Sequence, residues 1–301
     1  MSTILSEPTL DKASVEGTVK VTRVLPASAT VVWQSLTHPE LVSKWFGALT
    51  EPLRQDGRAY LDFDDGDFFA LQGIRLNPPR SLRYAWRFLD IGPLDMITWE
   101  VIPKGSGCVV TVTDTEPERS PEAAQQLRKG WLDFTNRLRK FVTNGTPSRY
   151  SVRSDFEASI ELPNKIDGVL DLLFEPQIQT QWLPVDLEGL RNGGHFSVPD
   201  DDGSMRFQVN NIVWPDSASV EFDLMHNAWL HPTSCHIDLT ARRTDSILSV
   251  RQGSWKAIAG DDEMQKRERR RFSATWIKAL QQARFLIDWR QRSAATADAR
   301  R

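Results

Sequence analysis

Arg23 and His226 are the residues whose type and placement raise a question of chemistry. Each falls on a strand face that is otherwise apolar. Arg23 shares its face with Val19, Val21 and Leu25, and His226 shares its face with Phe222 and Leu224. A buried guanidinium needs an acceptor, and a ligand carboxylate would serve. The alternative is that the long side chain snorkels to water. An imidazole at the end of such a face can contact a ligand or handle a proton near neutral pH. It can equally be a satisfied side chain at the rim. Aromatic residues accompany both positions. Tyr84, Trp86 and Phe88 alternate along one strand, Trp99 sits between Ile97 and Val101 on the next, and Trp131 and Phe134 share a helix face. Phe222 and Trp276 recur later in the chain. Such faces offer a flat or apolar ligand a large contact area. A filled core with no cavity would use the same residues.

Other chemistries lack their residues. His226, His231 and His236 lie five apart, which does not set three imidazoles on one strand face, and no His-Glu-x-x-His motif occurs. Asp62, Asp64, Asp65 and Asp67 lack the glycine and final glutamate of a calcium loop and read as a hairpin tip. No metal or other cofactor is expected. No Gly-x-Ser-x-Gly elbow, phosphate loop or dinucleotide fingerprint is present. Cys108 and Cys235 are the only cysteines, too few for a disulfide framework. With 37 basic and 40 acidic residues the net charge is −3, so no global basic field attracts nucleic acid or anionic lipid. The basic run Lys266 to Arg271 is expected to be a solvated helix face. No stretch has the length and apolarity of a spanning helix, and Met1 to Lys12 lacks a signal-peptide pattern. The expectation is a cytoplasmic protein with no nucleic-acid or membrane partner.

The elements that position these residues come twice. A chain of 301 residues is long enough for two domains of ordinary size. Residues 25–66 lie on 162–203 without a gap, at an offset of 137. Leu25-Pro26 meets Leu162-Pro163, Pro39 meets Pro176, Trp45 meets Trp182, Gly57 meets Gly194, and Asp64-Asp65-Gly66 meets Asp201-Asp202-Gly203. The offset becomes 138 over the next strands, where Tyr84 meets Phe222, and 145 in the last helix, where Trp131 meets Trp276. A period this long means two domains, expected over 15–143 and 150–290 with a turn-rich linker at Thr143 to Ser148.

Each repeat opens on an alternating strand, Val19 to Leu25 or Phe156 to Leu162. A short helix follows, with Ser28 as N-cap in the first repeat and Asn164 in the second. Pro39 and Pro176 open a second short helix that ends at the matched tryptophan. A meander comes next, its hairpins marked by Asp65-Gly66, Asp202-Gly203 and Gly105-Ser106-Gly107. A long amphipathic helix closes each repeat. Its stripe is Ala124, Leu127, Trp131, Phe134, Leu138 and Phe141 in the first, and Phe272, Trp276, Ala279, Ala283 and Leu286 in the second. The first 15 or so residues and the tail from about Ser293 lack periodicity and are expected to fray. The fold class is α+β, with each long helix laid on the inner face of its sheet.

Leu25-Pro26-Ala27-Ser28 with Val32-Trp33, then Thr37-His38-Pro39-Glu40 and Trp45-Phe46-Gly47, resembles the opening of the START-like (SRPBCC) superfamily. Arg80 to Trp86, Gly107 to Val112 and Gly130-Trp131 resemble the branch named after the activator of heat-shock-protein-ninety ATPase. The resemblance covers about 20–142 well and 155–288 more weakly. Leu170 replaces a helix tryptophan, Thr275 replaces the glycine before Trp276, and seven extra residues precede the last helix. The resemblance implies two tandem helix-grip domains, each a curved antiparallel sheet around its long C-terminal helix, with a cavity able to hold an apolar small molecule.

The expected ligand contacts are therefore Arg23, Tyr84, Trp86, Phe88, Trp99, Trp131, Phe134, Phe222, His226 and Trp276. The matched pairs Trp45/Trp182 and Trp131/Trp276 read as scaffold, which leaves Trp86 and Trp99 as the stronger candidates. The expected function is non-catalytic binding of a hydrophobic or aromatic small molecule, as carrier, sensor or sequestering protein. A polyketide-cyclase-like enzyme and a chaperone-assisting module are the alternatives. The tandem is expected to act as a monomer with an internal pseudo-dimer, or as a homodimer.

Overall fold

The computed structural model describes residues 17–149, 155–258 and 261–298. The expected domain starts at 15 and 150, and the segment 1–12, lie outside them. The described chain divides into two compact units, one built from residues 17–64, 68–90 and 94–149 and the other from 65–67, 91–93, 155–258 and 261–298.

The first unit runs β1 (Thr18–Leu25), α1 (Ala29–Thr37), α2 (Pro39–Trp45), β2 (Ala48–Leu49), β3 (Arg58–Asp62), β4 (Phe68–Asn77), β5 (Ser81–Phe88), β6 (Leu94–Lys104), β7 (Gly107–Thr115) and α3 (Pro121–Asn144). Its seven strands form one antiparallel sheet ordered β1-β7-β6-β5-β4-β3-β2. Helix α3 is the amphipathic helix expected from the sequence, and it buries Trp131, Thr135 and Leu138. Local chemistry sets the ends. The Ser28 hydroxyl accepts the Val31 N–H at 3.3 Å, and the Ser120 hydroxyl accepts the Ala123 N–H at 3.2 Å ahead of Pro121. Gly145, at φ 70°, closes α3 by donating its N–H to the Phe141 carbonyl at 2.8 Å.

The second unit runs β8 (Phe156–Leu162), α4 (Asp171–Phe174), α5 (Pro176–Trp182), β9 (His195–Asp200), β10 (Gly203–Asp216), β11 (Ser219–Met225), β12 (Thr233–Ala241), β13 (Ser246–Gln252) and α6 (Asp262–Asp298). The sheet order is β8-β13-β12-β11-β10-β9. The 137-residue offset holds at the level of single bonds. Trp45 donates its indole N–H to the Ser35 carbonyl at 2.8 Å, and Trp182 donates to the Leu172 carbonyl at 2.9 Å. Each bond ties one short helix to the next, so this matched pair is scaffold.

Four expectations need correction. Asn164 caps no helix. Its side-chain oxygen accepts from Gln291, and Ile166–Gly168 makes only a 3-10 turn before the four-residue α4. Leu286 is only half-buried and Ile287 takes the core position, because a 3.6-residue period drifts across a long stripe. The tail from Ser293 continues α6 to Asp298 rather than fraying. The basic run is not one solvated face: Arg269 is fully buried, its guanidinium donating to the Asp155 carbonyl at 2.7 Å and lying 5.7 Å from the Phe156 ring. Lys266 and Arg271 pair with Glu263 and Glu268, each at 3.2 Å.

Candidate functional site

Alternation along β5 and β6 turns Tyr84, Trp86, Ile97, Trp99 and Val101 to the face that α3 covers, and all five are buried. The register puts Tyr84 opposite Ile97 and Leu82 opposite Trp99. The result is one aromatic cluster. Trp86 stacks on Trp131 of α3 with centroids 5.2 Å apart, and on its other face on Phe69 of β4 at 3.8 Å. Trp99 meets Trp131 edge-on at 5.5 Å, Tyr84 lies 6.0 Å from Trp86, and Phe134 lies 6.0 Å from Trp131. Phe88 joins through Phe69 at 5.0 Å and is half-buried. The Tyr84 hydroxyl accepts the Trp99 indole N–H at 3.1 Å, and burial pushes the phenol well above its ordinary range.

A cavity of about 20 Å³ lies between Tyr84, Trp99, Trp45 and Phe46, with Leu49 and Leu53 on its outer side. That volume holds about one water. Among the described residues the aromatic side chains around this cavity are closely packed.

Arg23 does sit on the inner side of β1. It is half-buried, and its Nε donates weakly to the Thr135 hydroxyl of α3 at 3.4 Å. Burial, and then the nearby Arg139 charge, lowers its proton affinity. His226 falls one residue beyond the end of β11. Its Nδ1 accepts the Ala228 N–H at 3.2 Å, and its ring lies 5.2 Å from Phe207. His226 belongs to the second unit, and the Tyr84–Trp131 cluster to the first. Phe222 and Trp276 are buried in the core of the second unit. That core also contains Trp229 and Trp255, 6.2 Å apart and both packed on Phe272. Trp229 lies in a turn and Trp255 opens a single 3-10 turn, so strand and helix periodicity gave no sign of them.

A carboxylate pair, Asp114 buried and Asp95 half-buried, escaped the sequence reading. Asp114 ends the inward row Val110, Val112, Asp114 on β7 and is completely buried. The signal was there: Cys108, Val110, Val112 and Asp114 alternate along β7 and share its buried face. Arg119 bridges the pair, with Nη2 2.6 Å from Asp114 Oδ1 and 3.1 Å from Asp95 Oδ1. It also donates to the Gly17 carbonyl at 2.7 Å. The Trp131 indole N–H donates to Asp114 Oδ2 at 2.8 Å. Burial, followed by the Asp114 charge, pushes Asp95 up to about 7, and burial raises Asp114 as well.

The second unit carries a concavity of about 550 Å³ on the outward face of its sheet, lined by Glu221, Asp223, His236 and Arg251 among others. His236 Nδ1 lies 3.2 Å from Glu221, and Asn211 donates to Asp223 at 2.7 Å. This is a polar surface, unlike the apolar interior expected to hold a ligand. No helix among the described residues is long and apolar enough to cross a membrane.

Two curved antiparallel sheets, each closed by a long C-terminal helix over an aromatic interior, define tandem START-like (SRPBCC) helix-grip domains. The family described as Activator of Hsp90 ATPase homolog 1-like protein matches residues 26–143. DynU16, from the dynemicin biosynthetic locus, is 30% identical over 90% of this chain and 99% of its own, with a TM-score of 0.82. This chain belongs to the Activator of Hsp90 ATPase homolog 1-like family, in tandem duplication. More distant likenesses are CalU16 from Micromonospora echinospora and the di-domain ARO/CYC StfQ from the steffimycin pathway. CalU16 is 21% identical over 42% of this chain and 77% of its own, with a TM-score of 0.37. StfQ is 16% identical over 91% and 99%, also with a TM-score of 0.37. No curated protein matches at a significant level.

Proposed function

We propose that the chain binds a hydrophobic or aromatic small molecule without transforming it, as a carrier, sensor or sequestering protein. The first domain is the seat of binding. The observation that carries this reading is the cavity wall of Tyr84 and Trp99, continuous with Trp86, Trp131 and Phe134, and closed outwardly only by the half-buried Leu49 and Leu53. Leu53 lies in the turn-rich segment between β2 and β3, which no regular ladder holds in place. Outward movement of that segment would enlarge a cavity already lined by apolar side chains, and a flat ligand gains most from such walls. The relative in the dynemicin biosynthetic locus supports a role with a small molecule. Phe88 and Arg23 stand at the half-buried margin of the same domain, where Arg23 would meet an anionic substituent. Phe222, His226 and Trp276 would contribute only if the second domain also opens.

Native mass spectrometry of the protein purified from its own source tests the reading. A retained small molecule of apolar character is the expected result. Ligand-free protein whose melting temperature is also unmoved by naphthalene or 2-naphthol would overturn it.

A further inference from the structure

The two sheets share one register, but their outward faces differ in chemistry. In the second domain two rows of residues cross four neighbouring strands. In the first row Asp223 on β11 faces Ser234 on β12, the Gly253 N–H donates to the Ser234 carbonyl at 2.9 Å, and Asp155, just ahead of β8, lies beside Gly253. In the second row Glu221 faces His236, His236 faces Arg251, and Arg251 faces Glu157. At the offset of 138, or 137 for the opening strand, the first domain has Ala85, Met96, Thr115 and Thr18 in the first row. Its second row is Arg83, Thr98, Thr113 and Lys20. The duplicated fold therefore requires no carboxylate at Asp155, Glu221 or Asp223.

These residues of the second domain, Glu157 excepted, line the concavity of about 550 Å³. Ser234 and Gly253 are its floor. A Cβ on Gly253 would lie 3.1 Å from Asp155 Oδ1 and 3.7 Å from the Ser234 hydroxyl oxygen, so the bare backbone keeps the space between them open. At the far end Asn211, at φ 53° where β10 shifts register on β11, donates to Asp223 Oδ2 at 2.7 Å.

The charges along these walls do not cancel. Glu221 lies 3.2 Å from His236 Nδ1, whereas Asp223 bonds to the neutral Asn211. The Asp155 carboxylate and the Arg251 guanidinium make no hydrogen bond or ion pair among the described residues. Two carboxylates and one guanidinium are thus left without a counter-charge in a concavity, which focuses their field. Asp155 and Arg251 are diagonal neighbours on adjacent strands, about 7–8 Å apart. Asp155 and Asp223 stand three strand spacings apart, about 14 Å.

We propose that this concavity binds a basic α-amino acid. The α-ammonium pairs with Asp155 and the carboxylate with Arg251, whose planar fork suits it. The side-chain cation crosses Ser234 and Gly253 to reach Asp223. A simple diamine would leave Arg251 without a partner, and a neutral amino acid would leave Asp223 without one. The site belongs to the second domain and goes beyond the aromatic binding proposed for the first.

Equilibrium dialysis of the full chain tests it with three probes: L-lysine, cadaverine, which lacks the carboxylate, and 6-aminohexanoate, which lacks the α-ammonium. The wild-type protein is expected to bind L-lysine about ten-fold tighter than either, the gain of one charge-assisted contact. Arg251→Ala is expected to reduce lysine affinity to that of cadaverine while leaving cadaverine binding in place. Asp155→Ala is expected to reduce it to that of 6-aminohexanoate. Both residues are exposed. Lysine bound no more tightly than cadaverine by the wild type overturns the proposal, and this comparison needs no variant to fold. Lysine affinity unchanged in both variants also overturns it, as does the absence of lysine binding at millimolar concentration. None of these outcomes bears on the aromatic-binding reading.

Discussion

The Trp131 indole N–H donates to the Asp114 carboxylate at 2.8 Å, tying the long helix α3 to strand β7. The same carboxylate meets Arg119 at 2.6 Å, and all three groups are buried or nearly so. Asp114→Ala leaves the guanidinium short of an acceptor and the indole without one, and is expected to cost about 3–5 kcal/mol in urea denaturation. Asp114→Gln, the residue at the corresponding place in the second domain, is expected to cost clearly less. Equal losses for the two variants would show that Gln does not replace the bond.

The raised Asp95 makes stability fall with rising pH. Its ordinary value is near 4 and its folded value is about 7, so between these limits the folded chain holds more protons than the unfolded one. The slope of unfolding free energy against pH is then negative over about pH 4 to 7. Asp114, Glu116 and Arg119 are the charged groups that act on it. Urea midpoints at pH 5 and pH 8 are expected to differ by less in Asp95→Asn than in the wild type, because the substitution removes the proton uptake. An unchanged difference would show that Asp95 is not its source.

Trp86 fills the space between Phe69 and Trp131, with stacked contacts on both faces. Trp86→Ala is expected to lose about 3–5 kcal/mol, as large truncations in a packed core do. The void it leaves is walled by aromatic rings, and dry apolar cavities bind small aromatics. Added indole is therefore expected to raise the melting temperature of the variant by more than that of the wild type. No rise in the variant would mean that the core has collapsed around the gap.

Cys108 and Cys235 are both buried, and burial pushes both thiols up. The thiolate is the reactive species. At pH 8 iodoacetamide is expected to leave both cysteines unmodified in the folded protein and to label both in urea, read by intact mass. Rapid labelling of one thiol without urea would identify a domain that opens readily.

Much of this was legible in the sequence. Duplication could be read because Pro39/Pro176 and Trp45/Trp182 keep one offset, and they keep it because each pair makes the same helix start and the same indole–carbonyl bond. Strand parity placed Tyr84, Trp86 and Trp99 on one buried face, since alternation is a local property of extended backbone. The cap expected at Asn164 was not legible locally, since its side-chain oxygen accepts from the distant Gln291.

What only the tertiary structure decided is how full the interior is and where its charges meet. Periodicity says which side chains point inward, but not whether they leave a space. Tyr84 and Trp99 from two strands and Trp45 and Phe46 from the end of α2 bound a cavity of about 20 Å³ between them. Asp95, Asp114 and Arg119 lie on a strand start, a strand end and a loop, and no local spacing rule joins them. Their meeting follows from the register of β6 on β7, and the low-dielectric surroundings produced by that packing raise the Asp95 carboxyl to about 7.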